Sequence, residues 1–139
     1  MTYSANAVAN TILILAGARG LNDVSPMKLQ RLLYLVQGQH LKAYGTPLHD
    51  DHFARWEHGP VVASIFHKFR DFGVRPITQR LTVTGSRGGR LVPQIQDDDA
   101  SALELVQSVL KRFGMLSGVD LSQRLRGEGS AWSLRGGDG

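Results

Sequence analysis

From Ser4 to Gly45 the apolar residues recur three and four positions apart, the spacing of buried helix faces. Between Ser4 and about Arg19, Val8, Ile12 and Leu15 form one stripe, and Ala9, Leu13 and Ala16 widen it. Ser4 is placed to cap this helix, with Tyr3 and Val8 as the apolar pair of a hydrophobic staple. The same grammar recurs at Ser25. Pro26 suits the first helical position and Val24 can reach Leu29, so a second helix should run to about Tyr44 and stop before Gly45. Leu29, Leu32, Leu33, Val36 and His40 share one of its faces, while Tyr34, Leu35 and Leu41 lie on others. That arc is wider than one neighbour can cover, which predicts the central helix of the fold. Lys28 and Arg31 are expected to stay hydrated, and Gln30, Tyr34 and Gln37 to form a polar stripe at helical spacing.

Further along, Pro47 to Glu57 reads as irregular or briefly extended. Pro60 then suits the first position of a third helix ending near Phe72, before Gly73, with Val62, Ile65, Phe66 and Phe69 on its buried face. From Ile77 to Ile95 the period changes. Alternation through Leu81 and Val83, the loop Gly85-Ser86-Arg87-Gly88-Gly89 and the run Leu91 to Ile95 predict either a short hairpin or an ordered loop, with Pro93 favouring an edge. A fourth helix from about Asp98 to Phe113 carries Leu103, Val106, Leu110 and Phe113 on one face, and its acidic start and basic end both complement the helix dipole. Ser117 and Asp120 form a capping pair for a short last helix ending near Arg126, and the residues beyond Trp132 lack the apolar content to order themselves.

The 139 residues, 42% of them hydrophobic, suit one domain with a single core. The absence of Cys removes disulfides, thiolate metal sites and a cysteine nucleophile, and fits a cytoplasmic protein. Ile12 to Ala18, the most apolar early stretch, is too short to span a bilayer and has no basic leader before it. The net charge of +4 and pI near 9.9 leave nucleic acid open as a ligand, but the basic residues are scattered and interrupted by Asp50, Asp51 and Asp97 to Asp99. A nucleic-acid reader needs them gathered on one surface, so the distribution argues against one.

Signatures of catalysis are weak. His49, His52 and His58 with Asp50 and Asp51 could supply metal ligands, but they fall in an expected loop without the i, i+4 spacing of a helical zinc motif. The GSRGG loop lacks the Lys-Ser/Thr ending of a phosphate loop, and no nucleophile elbow surrounds any serine. His40, on an apolar helix face, reads as a hydrogen-bonded core residue. No metal or other cofactor is expected.

Several segments taken together are more specific than any one of these signals. They are YSANAVAN, SPMKLQRLLYLVQGQHL, Tyr44-Gly45-Thr46-Pro47-Leu48, Trp56-Glu57-His58-Gly59-Pro60-Val61-Val62, and a terminal stretch from Leu121-Ser122 through Glu128-Gly129-Ser130 to Trp132. In this order they make the chain resemble the Panacea domain family of SocA-like, phage-associated antitoxins. The resemblance implies a mainly α-helical domain that neutralises a co-encoded toxin by direct contact. In SocA-like members it also implies an adaptor that presents the toxin to an ATP-dependent protease. The chain departs from the family pattern at Leu125-Arg126, where a Thr-His pair is common, and at Ala131, where a Pro usually precedes the last Trp.

The expectation is therefore a mainly α, compact single domain of about five helices with room for a small β-hairpin, spanning residues 1–132 and followed by a flexible tail at 133–139. Its function would be that of a non-enzymatic antitoxin whose partner is a protein toxin from an adjacent gene, with no membrane contact. A mobile-element regulator binding nucleic acid and, behind it, a metal-dependent hydrolase are the alternatives. Gln30, Tyr34, Gln37 and His58 are the candidate partner contacts. Met27, Lys28, Leu29, Gln30, Leu33, Tyr34, Trp56, Gly59, Pro60, Val61 and Trp132 carry the family resemblance and are expected to be structural, Trp56 as an apolar clamp on its turn.

Overall fold

The computed structural model describes residues 2–57 and 59–127, the last two through their backbone alone. The chain is mainly helical: α1 (Ala5–Ala18), α2 (Pro26–Tyr44), α3 (Ala63–Phe69) continued by a 3-10 turn (Arg70–Phe72), α4 (Ala100–Phe113) and α5 (Gly118–Gly127). Two small antiparallel hairpins interrupt them, β1 (Ala54–Trp56) with β2 (Gly59–Val61) and β3 (Val83–Thr84) with β4 (Arg90–Leu91). The candidate contact His58, the family-motif Trp132 and the expected tail at 133–139 lie outside the described residues.

The helix boundaries follow the capping chemistry. Ser4 and Ser25 each accept a hydrogen bond from the backbone three residues on, Pro26 occupies the first turn of α2, and Gly45 closes that helix in the left-handed conformation at φ 73°. Asp99 caps α4 through Ala102, and the Ser117 hydroxyl accepts from the Asp120 amide at the start of α5. Leu29, Leu32, Leu33 and Val36 have no exposed surface, and α2 packs against all four other helices and against β2, so it is the central helix.

The third helix starts later than Pro60. Residues 59–61 instead pair with 54–56, placing Pro60 opposite Arg55, and a two-stranded hairpin leaves an edge where a residue without N–H is tolerated. Val62 becomes the residue before the helix because α2 holds it there. Gln30 accepts a hydrogen bond from the Val62 amide at 2.8 Å and donates to the Val62 carbonyl at 3.4 Å, so the segment is pinned while still extended. The stretch 77–95 does form the short hairpin, with Pro93 beyond its strands.

Similar amide clasps tie down the other connections. Asn10, fully buried on α1, accepts from the Leu81 amide at 2.8 Å and donates to the carbonyls of Leu81 and Pro93, both at 2.9 Å. One residue on, the Thr11 hydroxyl donates to the Ala7 carbonyl and accepts from the Ile95 amide. Both stems of the β3–β4 hairpin are thus anchored to α1 by side chains. The N-terminal segment is fixed by a parallel bridge between Tyr3 and His49 and by the Tyr3 hydroxyl, which donates to Asp99 at 2.6 Å. That bond holds the Asp99 carboxyl below its ordinary pKa, while burial raises the Tyr3 phenol.

Asn10→Ala would leave the buried amide and carbonyl of Leu81 and the part-buried carbonyl of Pro93 without their partner. We expect it to destabilise the protein by roughly 2–4 kcal/mol in denaturant titration. A substitution of the exposed Gln94 nearby should stay within about 0.5 kcal/mol.

Candidate partner-binding groove

The first two turns of α2 carry two cations that the sequence places in water and the fold does not. Lys28 has no exposed surface, and its ammonium donates to the Asp23 carboxylate at 2.7 Å and to the Gly114 carbonyl at 2.6 Å. It thereby links α2 to the buried carbonyl at the end of α4, where a cation also suits the helix dipole. Arg31 is 2% exposed and packs its guanidinium on Gly59. Gly59 has φ +125°, and a β-carbon there would lie 1.8 Å from Arg31 Nη1. The glycine of the Trp-Glu-His-Gly-Pro segment is therefore required twice, by its backbone conformation and by the cation seated on it. A third close approach occurs at Gly118, where a β-carbon would meet the Lys28 amide at 3.1 Å, so α5 begins directly against α2.

These contacts frame a groove of about 530 Å3. Met27 and Gln30 of α2, Trp56 and Val61 of the first hairpin, Phe66 of α3 and Val119 of α5 are among its lining residues. The half-buried Trp56 ring meets Phe66 edge-on at 5.0 Å between centroids, so it clamps the hairpin to α3 and also forms a wall of the groove. The lip is apolar and open: Val74 is 95% exposed and Val119 59%. Contiguous apolar surface of this kind marks interaction sites.

Of the candidate contacts, the three among the described residues, Gln30, Tyr34 and Gln37, do not form one exposed edge. Gln30 is buried, with its amide spent on Val62, and it reaches the groove as part of the floor. Gln37 accepts from the amides of Leu48 and His49 at 2.9 and 3.2 Å and donates to the His49 carbonyl at 2.8 Å, so it is a loop anchor. Tyr34 and Gln37 line a different cleft, of about 510 Å3, together with Asp51, His52 and Phe53. Gln30 and Gln37 are explained by the backbone they satisfy, which has no signature in the helix's own sequence, and Tyr34 meets Phe53 edge-on.

The histidines separate as well. His49 is fully buried against Phe53, and among the described residues neither ring nitrogen has a hydrogen-bond partner. Burial pushes its pKa down, opposed only in part by Asp51 and Asp50. Among the described residues no three His, Cys, Asp or Glu side chains are grouped so as to hold a metal. His40 is half-buried, and its Nδ1 meets the Thr46 carbonyl, so it braces the turn after α2 and does not belong to the core. Among the described residues no helix is long and apolar enough to cross a membrane.

The sequence that builds this helical fold matches a known family. The chain belongs to the SocA-like antitoxin family with the Panacea domain, whose model matches residues 29–133. It is similar to Antitoxin SocA of Caulobacter vibrioides (strain NA1000 / CB15N), at 29% identity over 133 residues, which cover 96% of this chain and 70% of that protein. No solved structure gives a significant match.

Two outcomes check this description of the site. Gly59→Ala should cost roughly 2–5 kcal/mol in stability, because it meets both the positive φ and the buried guanidinium. The second concerns His49. Because its folded pKa is depressed, the unfolded chain binds a proton that the fold excludes. This contribution to stability is fully present above the ordinary imidazole value of about 6.5 and is lost as the pH falls from there toward the folded pKa. In melts taken between about pH 7.5 and 5, His49→Phe should flatten the decline relative to the unsubstituted protein.

Proposed function

We propose that this protein is an antitoxin that neutralises a protein toxin, the product of an adjacent gene, by direct contact. The observation that carries the reading is the family match over residues 29–133, supported by a relative that is itself named an antitoxin. A protein-binding role also suits the open apolar groove at the start of α2, walled by residues of the shared segments. The role is a binding one and requires no reaction at the protein.

Co-expression tests it. The neighbouring reading frame, expressed alone, should arrest growth, and the pair should grow and co-purify. Neutralisation that persists in a host lacking ATP-dependent proteases marks occlusion of the toxin, and neutralisation lost there marks delivery to the protease. Failure to neutralise the neighbouring product, combined with DNA retention that falls steeply with salt, would replace this reading with that of a nucleic-acid-binding regulator.

A further inference from the structure

The groove at the start of α2 has a mixed floor of Met27, Gln30 and Arg31, an apolar lip and a cation, Arg70, on one side. Phe66, Arg70, Gly73 and Val74 line that side, and the segment 63–75 that supplies them also carries Lys68 and Arg75 on its outer surface and one carboxylate, Asp71. All three cations are exposed, and among the described residues none is paired with a carboxylate. Arg75 is held by the backbone carbonyls of Asp71 and Phe72, which fixes its position without neutralising its charge. Arg70 itself lines the groove. Across from it, the Asp23 carboxylate is committed to Lys28. On the Val74 side the opening therefore presents the unpaired charge of Arg70, while Asp120 follows Val119 on the α5 side.

We propose that this groove is the toxin-docking site, and that it takes an amphipathic segment of the toxin carrying a large apolar side chain flanked by carboxylates. The inference rests on the antitoxin reading and adds to it the location and the chemistry of the contact. An apolar anchor in a pocket, ringed by charged pairs at the rim, is the arrangement that concentrates binding energy in protein interfaces. The walls are set before the partner arrives. Gln30 holds Val62, Arg31 sits on Gly59, and Gly118 lets α5 abut α2, so little ordering entropy remains to oppose association. The basic side would steer an acidic segment into place and set the salt dependence of its arrival.

The test is the affinity of purified protein for the toxin of the adjacent gene, measured by calorimetry at low and high salt beside thermal melts of each variant. Val119→Asp and Val74→Asp should each weaken binding about tenfold or more, since each places a carboxylate on the lip against an acidic segment. Arg70→Glu should weaken it and flatten the salt dependence. Leu91→Asp, a comparable change at an exposed apolar residue of the β3–β4 hairpin, should bind as the unsubstituted protein does. Val74 is almost entirely exposed, so its variant separates binding from folding even where another variant melts early. Unsubstituted protein that binds the toxin, with groove variants that bind it equally well, overturns the groove and leaves the antitoxin reading standing. Groove variants that change self-association and not toxin affinity overturn it too, by assigning the surface to a second copy of the chain. Unsubstituted protein that does not bind the toxin overturns the antitoxin reading and the groove assignment with it.

Discussion

Side-chain amides that clasp loop backbone hold this fold together. Asn10 on α1 and Gln30 and Gln37 on α2 each present a carbonyl and an NH2 group to the backbone of a connecting segment. A carboxamide has the same donor and acceptor pair as a peptide group, so a helix carrying one can satisfy an extended segment as a neighbouring strand would. The fold needs such devices because much of it is neither helix nor sheet, and buried backbone must find partners somewhere. Its hairpins are too short to supply them.

The same constraint explains the charged residues buried at the start of α2. Lys28 is sealed in because a carboxylate and a helix-terminal carbonyl meet it there. A buried cation without such partners would cost several kcal/mol, and with them it becomes a cross-link between α2 and the joint of α4 and α5. Arg31 settles on Gly59, so the position of the first hairpin depends on a glycine that cannot grow a side chain. Polar residues here specify where loops and helices meet, and the apolar residues around them supply the driving force.

A groove framed in this way suits a family of antitoxins. Its floor belongs to the central helix and its walls to three other elements, so it is stiff at the base. Its lip of Val74 and Val119 is on the surface, where side chains can change with little effect on stability.

By itself the sequence determined the helices, their caps and their apolar faces, because these depend on residues three or four apart. Ser4, Ser25, Asp99 and Gly45 act where local chemistry puts them, and Leu29, Leu32, Leu33 and Val36 go inside. The family resemblance was also legible, through motifs in order along the chain. Only the tertiary structure decided the fate of residues whose partners are distant in sequence. Pro60, which suits a helix start, lies in a strand because Gln30 holds Val62, thirty-two residues away, in extended form. Lys28 and Arg31 look like hydrated edge residues until Asp23, Gly114 and Gly59 are in place around them. Gln30 and Gln37 look like a surface stripe for the same reason: a polar side chain shows its chemistry in the sequence, and whether water or backbone satisfies it is settled when the chain closes on itself.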